Sequence, residues 1–176
     1  MSTELAGLLD AIAFAAEKHR NQRRKDREAS PYINHPIALA NLLSNEVGIG
    51  DLATLQAAVL HDTVEDTNTS HEELVRRFGA RVADIVAEVT DDKSLDKAER
   101  KRLQVENAPH MSPEATLVKM ADKICNLRDM NAAPPAHWDL ERRRAYFEWA
   151  RAVVDGLPPT DPRLLTLFSA AYALRP

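Results

Sequence analysis

A single cysteine, Cys125, stands in a chain of 176 residues. That excludes an internal disulfide framework and suits a reducing compartment. Glycine is scarce at five residues, aromatic side chains make up only 5% and β-branched runs are few, so strands have little support and the expectation is all-α. No apolar run approaches the roughly 20 residues needed to span a bilayer. The opening Met1-Ser2-Thr3-Glu4-Leu5 also lacks a basic region leading into an apolar one. A cytoplasmic location is therefore expected. Positive charge is not in surplus, since the formal net charge is −4 and the pI is about 5.9. Nucleic acid and membranes are thus not expected partners, and any phosphate chemistry needs a local pocket. The length allows one domain with a full-sized core and not two. Residues 1–176 read as a single unit, with a core from about 4 to 155 and a last helix from about 160 to 174.

What the chain does have is centred on His61-Asp62-Thr63-Val64-Glu65-Asp66. This stretch closes an apolar helical run, Leu52 to Leu60, with Gly50 in front and Asp51 placed as its N-cap. On a helix Asp62 follows Ala58 by one turn, so its carboxylate points with the apolar side toward the interior. If the helix continues another turn, His61 lies over Glu65 and Asp62 over Asp66, gathering an imidazole and three carboxylates. Buried like charges repel unless a cation is present, and a metal ion is the simplest candidate. An isolated His-Asp pair is more often a surface or capping feature, so the reading depends on further ligands elsewhere.

They are found on either side. Residues 4 to about 22 form an amphipathic helix through Leu5, Leu8, Leu9, Ile12, Ala13, Ala16 and His19. The charged run His19 to Glu28 that ends it reads, from charge alone, as a solvated face sooner than a phosphate grip. Pro36 suits the first turn of a helix through Ile37, Ala40, Leu42 and Leu43, which places His35 at or next to its N-cap in a rigid turn. Ser70 with Glu73 makes a capping box for a short helix ending at Phe78-Gly79. Ala80 to about Thr90 is another helix, with Val82, Ile85, Val86 and Val89 inward. Ser94 is placed to cap a charged helix to Asn107, and there Arg102 falls on the inward stripe of Leu95, Ala98 and Val105, where a guanidinium meets a carboxylate or phosphate. Ser112-Pro113-Glu114 starts a helix with Leu117, Val118, Ala121, Ile124 and Cys125 on its apolar side. Asp122 looks inward with them, while Lys119, Asp122, Asn126 and Asp129 make one polar stripe. After Pro134-Pro135, a helix from about Trp138 to Asp155 aligns Arg142, Tyr146 and Trp149, as core or as a base-stacking platform beside a cation. Thr160-Asp161-Pro162 caps the last helix, Arg163 to about Leu174.

His35, His61, Asp62 and Asp122 thus supply two imidazoles and two carboxylates from three helical segments. Mixed nitrogen and oxygen donors suit Mn²⁺, Fe²⁺ or Zn²⁺ better than Mg²⁺ or Ca²⁺. An octahedral ion would keep positions for water and substrate, and would lower the pKa of that water from about 15.7 toward 7. Glu65 is then placed to orient or deprotonate the water, and Asp66 to assist it or handle the leaving group.

His35…His61-Asp62…Asp122 resembles the HD-domain metal phosphohydrolases. The segments His19 to Asp26, Pro31-Tyr32-Ile33-Asn34-His35-Pro36, His61 to Asp66 and Leu117 to Lys123 resemble the hydrolase domain of RelA/SpoT homologues. Asn126-Leu127-Arg128-Asp129 and Tyr146-Phe147-Glu148-Trp149-Ala150 extend the likeness to the short stand-alone members, the Mesh1-type small alarmone hydrolases. The resemblance implies an HD-type helical bundle that removes the 3′-pyrophosphate of ppGpp or pppGpp, giving GDP or GTP and pyrophosphate, with Mn²⁺ as cofactor. It implies His35, His61, Asp62 and Asp122 as ligands, Glu65 and Asp66 as the catalytic pair, and Arg24 and Lys25 near the substrate phosphates. Asn126 and Tyr146 are implied near the nucleoside, with Lys97, Arg102 and Arg142 as further contacts.

The turn Asp26-Arg27-Glu28-Ala29-Ser30 departs from the long family members in lacking their glycine. No synthetase domain fits in this length. Two other readings stay open at this stage: action on another nucleotide, such as ppApp or the 2′-phosphate of NADPH, and a non-catalytic alarmone-binding module. The sequence does not specify an oligomeric state.

Overall fold

The computed structural model describes residues 3–176, and every regular element in that range is a helix or helical turn. Met1 and Ser2, from the segment read above for the absence of a leader, lie outside the described residues. Ten helices follow in order: α1 (Thr3–Lys18), α2 (Asn34–Asn41), α3 (Leu52–Leu60), α4 (Thr63–Asp66), α5 (His71–Phe78), α6 (Ala80–Val89), α7 (Lys97–Asn107), α8 (Pro113–Ala132), α9 (Leu140–Gly156) and α10 (Pro162–Ala173). A π-helical turn, Leu42–Glu46, prolongs α2, and a 3₁₀ turn, Ala108–His110, prolongs α7.

Helix α3 is the axis. All residues from Thr54 to Leu60 are buried, and α1, α2, α6 and α8 pack around it. Asp51 caps it, accepting from the Thr54 N–H at 2.9 Å, an arrangement worth about 1 kcal/mol. Helix α8 is the second buried rod, contacting α3, α6, α9 and α10. Ser70, Ser112 and Asp161 cap α5, α8 and α10 as their positions imply. Gly79 takes φ 90° between α5 and α6, a conformation that L side chains resist.

Three expectations are corrected. Helix α1 stops at Lys18, and its buried face is Ala11, Phe14 and Ala15, whereas Leu5 and Leu9 are each 49% exposed. The reason is close approach: Gly7, Ala11 and Ala15 repeat every four residues, and a Cβ on Gly7 would lie 3.3 Å from Gln56 and Leu52. Small residues set the seam against α3 and Leu5 and Leu9 face away, while Leu8 and Ile12 of the expected face do pack against the core and His19 is buried.

Helix α7 is capped by Asp96, which accepts from the Glu99 N–H, and not by Ser94. Ser94 is instead held in the preceding turn by Asp92. Arg100, Lys101, Leu103, Gln104 and Val105 are half-buried, while Ala98 is exposed and Arg102 points to solvent between Glu99 and Glu106. Finally, α3 does not run on through the central motif. It ends at Leu60, Asp62 sits near φ −100° and ψ 0°, and a separate short helix α4 follows. The kink separates His61-Asp62 from Glu65-Asp66 and lets both pairs look into the same space.

Candidate active site

Four elements meet where α3 breaks. Helix α2 brings His35 in its first turn, the α3–α4 kink brings His61 and Asp62, and α8 brings Asp122. One ligand atom each of His35, His61 and Asp62 lie within 4.8 Å of one another. Asp122 Oδ1 stands beside this cluster and completes the set, 3.2 Å from His35 Nε2 and 3.9 Å from His61 Nε2. His61 Nδ1 lies 2.8 Å from the Ala58 carbonyl, so Nδ1 carries a proton and Nε2 is the nitrogen that faces Asp62 Oδ2 at 2.9 Å, with its lone pair offered once the ring is neutral. Electron-rich atoms aimed at one another in a buried ring require a cation between them. Two nitrogens and two oxygens fit a borderline divalent ion.

The charges respond to this crowding. Burial would push the His61 imidazole down, but the Asp62 and Asp122 carboxylates and the Ala58 carbonyl reverse it to about 9. Asp62 and Asp122 are held below the usual carboxylate range despite burial, by the two imidazoles and, for Asp122, first by Lys123. Burial moves His35 the other way, downward. In effect a proton on His61 fills the role that a divalent ion takes.

Neighbouring side chains aim the ring. The Tyr32 hydroxyl donates to Asp62 Oδ2, and Asn126 Nδ2 donates to Asp122 Oδ1 at 2.6 Å. Lys123 lies beneath, fully buried, donating to Gln104 Oε1 at 2.9 Å, 3.4 Å from Asp122 Oδ2 and 4.0 Å from the centre of the Trp149 ring. Burial lowers this ammonium to about 8 against the pull of Asp122.

Beside the ring opens a cleft of about 930 Å³, with Glu65 and Asp66 in its wall. Burial pushes the Glu65 carboxyl up to about 7, opposed by the Asp91 N–H that it accepts at 3.1 Å. Asp66 accepts from Gln22 at 2.7 Å and from Lys93. Arg24 and Lys25 line the rim, on a hairpin-like turn closed by an isolated bridge between Arg23 and Pro31. Arg24 donates to Asp129 at 2.5 Å and to Asn126 at 3.3 Å.

Trp138 and Tyr146 form the far wall in edge contact at 5.7 Å, and Arg142 and Lys97 stack on Trp138 at 4.4 and 5.5 Å. Trp149 stands behind, its indole N–H donating to the Lys101 carbonyl.

The chain that carries this cleft has relatives among known proteins. Residues 11–146 match the HD domain family. Over 164 residues the chain is 59% identical to the human guanosine-3′,5′-bis(diphosphate) 3′-pyrophosphohydrolase MESH1, covering 93% of this chain and 92% of that protein. The chain belongs to the MESH1 family of HD-domain proteins. The Drosophila melanogaster MESH1 is 51% identical over 159 residues, covering 90% of this chain and 89% of that one. A solved structure described as a metazoan ortholog of SpoT that hydrolyses ppGpp superposes with a TM-score of 0.93 at 47% identity, covering 99% of this chain and 97% of that one.

Within this MESH1-type fold, most residues singled out from the sequence converge on one place. His35, His61, Asp62, Asp122, Glu65, Asp66, Arg24, Lys25, Asn126 and Tyr146 lie at the ring or in the cleft, and Lys97 and Arg142 stand on Trp138. Arg102 does not join them. Gln22, Tyr32, Lys93, Arg100 and Lys123 carry no role in the sequence analysis, although Gln22, Tyr32 and Lys123 stand inside the segments quoted there. The charged run after α1 is only partly a solvated face, because Arg24 keeps its side chain 19% exposed inside the cleft.

Proposed function

We propose that the chain is a Mn²⁺-dependent hydrolase that removes the 3′-pyrophosphate of ppGpp and pppGpp. The observation that carries this reading is the ring of His35, His61, Asp62 and Asp122 opening onto Glu65 and Asp66 in a cleft rimmed by cations. The high identity to MESH1 proteins across nearly the whole chain supports the substrate class. The four ring residues are the ligands. A divalent ion held by them supplies Lewis acidity toward a phosphoryl oxygen and acidifies water.

The chain's own groups do the rest. Tyr32 and Asn126 fix the two carboxylate ligands, and the Ala58 carbonyl fixes the His61 ring. Glu65, with its carboxyl raised to about 7, is matched to accept a proton from the attacking water near neutral pH. As the new O–P bond forms and the bond to the 3′-oxygen breaks, that proton becomes available to the departing oxygen. Asp66 already accepts at both oxygens, so it orients the water. Arg24 and Lys25 neutralise the phosphates, and Arg24 exchanges its bond to Asp129 for a phosphate oxygen. Tyr146 and Trp138 flank the nucleoside, with Lys97 and Arg142 behind.

Residues 1–176 act as one HD unit, since a contiguous set of buried residues from Ala11 to Ala171 joins the helices. The placement we infer is cytoplasmic: the lone Cys125 is buried with its thiol pushed up to about 12 by desolvation, and among the described residues no helix is long and apolar enough to cross a membrane.

The test is turnover of ppGpp, ppApp and NADPH by Mn²⁺-loaded protein. Release of pyrophosphate from ppGpp with the highest kcat/KM is expected. A large preference for NADPH would replace the substrate assignment, and nucleotide binding without turnover would turn the chain into a binding module.

A further inference from the structure

Asp66 owes its position to a contact chain that begins outside the cleft. His19, 1% exposed, closes the end of α1 by donating its N–H to the Ala15 carbonyl at 2.9 Å. Its Nδ1 lies 2.6 Å from Gln22 Oε1, and its Nε2 is buried with no hydrogen-bond partner. Gln22 Nε2 in turn lies 2.7 Å from Asp66 Oδ2.

The backbone of Gln22 is fixed on both sides. Its N–H donates to the His19 carbonyl at 2.9 Å, and its carbonyl accepts from the Tyr32 N–H at 3.1 Å. With its amide between His19 and Asp66, what is left to settle is which way round the amide stands.

That rotation is decided by elementary donor and acceptor rules. Were the amide turned over, its oxygen would face a carboxylate oxygen at 2.7 Å, two acceptors without a proton between them. The NH₂ must therefore face Asp66, and Oε1 must face His19. An oxygen that only accepts then requires the proton of His19 on Nδ1, which agrees with an Nε2 left without a partner. Lys93 holds the other oxygen of Asp66, but its side chain is 48% exposed and it stands in an exposed turn. Gln22 is the anchored one of the two.

We propose that Gln22 is the positioning residue that aims Asp66 at the attacking water, and that buried His19 acts only through Gln22, by locking its amide. The inference rests on the assignment of Asp66 as the residue orienting the water. The competing role is a plain latch, in which Gln22 merely ties the segment after α1 to α4 and its loss costs stability alone.

The experiment uses the full chain loaded with Mn²⁺ and four variants: Gln22→Leu, Gln22→Glu, His19→Phe, and Gln22→Leu combined with His19→Phe. Gln22→Leu is expected to lower kcat by about 10–100-fold while KM stays within about threefold, since a slightly misplaced catalytic group costs rate more than binding. Gln22→Glu keeps the size but sets an acceptor against Asp66, and it falls at least as far. His19→Phe costs less, and the double variant is no slower than Gln22→Leu, because a residue that works through another adds nothing once that other is gone. Nitrogen-15 NMR of His19 in the wild type is expected to show the proton on Nδ1.

Unchanged kcat in Gln22→Leu with a lowered melting temperature would leave only the latch and overturn the proposal. So would a double variant whose loss is the product of the two single losses, or a wild-type His19 protonated on Nε2. If Gln22→Leu does not fold, Gln22→Glu and the His19 tautomer carry the test. A wild type inactive on ppGpp but active on ppApp or NADPH sinks the substrate assignment alone, because the variant ratios are then read on that nucleotide.

Discussion

Replacing Glu65 by glutamine separates the cost of a catalytic carboxylate from its use. The Glu65 carboxyl is pushed from an ordinary value of 4.5 to about 7, chiefly by burial, and its side chain is only 17% exposed. The folded chain therefore binds this proton more tightly than the unfolded chain. Stability from it is complete below about pH 4.5 and is lost as pH rises through about 7. At about 1.4 kcal/mol for each tenfold change in proton affinity, the loss comes to about 3 kcal/mol. The substituted amide has nothing to titrate. In urea unfolding of metal-free protein, the stability of Glu65→Gln relative to wild type should therefore rise by about 3 kcal/mol between about pH 4.5 and pH 8, whatever constant offset the lost contacts add. The amide oxygen can still accept from the Asp91 N–H, so the cleft wall stays in place. In the Mn²⁺-loaded protein the same variant should lose about 10²–10⁴-fold in kcat, the range typical of a general base, while retaining the metal. Parallel stability curves across this pH window would refute the buried-carboxyl argument, and an unchanged kcat would show that another group takes the proton.

Three further outcomes follow from the same geometry. In the metal-free ring the His61 proton stabilises the fold fully below its ordinary value of 6.5, and that contribution is lost as pH rises through about 9. Metal binding at neutral pH should thus release about one proton, read by titration calorimetry in buffers of different ionisation enthalpy, and a buffer-independent heat would contradict it. His61→Ala should weaken metal retention beyond the roughly 10–100-fold that outer partners are worth. Lys123→Met strands Gln104 Oε1 and the outer oxygen of Asp122, so a loss of about 3 kcal/mol is expected in denaturant unfolding; a neutral variant would mean that the buried ammonium contributes nothing net. Arg24→Ala should raise KM for ppGpp by about tenfold or more, whereas Arg102→Ala, which breaks two exposed pairs within one helix, should leave kcat/KM within about twofold and stability little changed. Equal effects of the two would restore Arg102 to the cleft.

How much of this was legible in the chain depends on the reach of each interaction. The caps at Asp51, Ser70, Ser112 and Asp161 act over two or three residues and are visible as local spacing. The inward turn of Asp122 follows from helical period, because it stands one turn from buried Val118, whereas Asp62 sits in the kink beyond α3 and the gathering of four residues from separate segments was legible only through the family resemblance. Helix α1 misled for an instructive reason. Hydrophobicity picked Leu5 and Leu9, but the seam against α3 is chosen by how closely two backbones approach, and there Gly7, Ala11 and Ala15 win by being small. Arg102 misled through a start shifted from Ser94 to Asp96, which is enough to carry a side chain from the inner face to solvent.

The residues that hold the site in shape were illegible for a different reason. Gln22 meets Asp66 across 44 positions, Tyr32 meets Asp62 across 30, and Arg24 meets Asn126 across 102. No periodicity connects such pairs, and each partner alone looks like an ordinary polar residue. Only the fold supplies their meaning, because burial leaves each carboxylate just those donors that the closed helices bring to it. A ligand can be read from a helix face, but the group that aims it is defined by what is left unsatisfied when the helices close. The metal ring and the catalytic pair therefore lie at the surface of what a sequence discloses, and the second layer of Gln22, Tyr32 and Lys123 lies beneath it. A substitution in that layer should alter rate or stability while every residue of the recognisable motif remains in place.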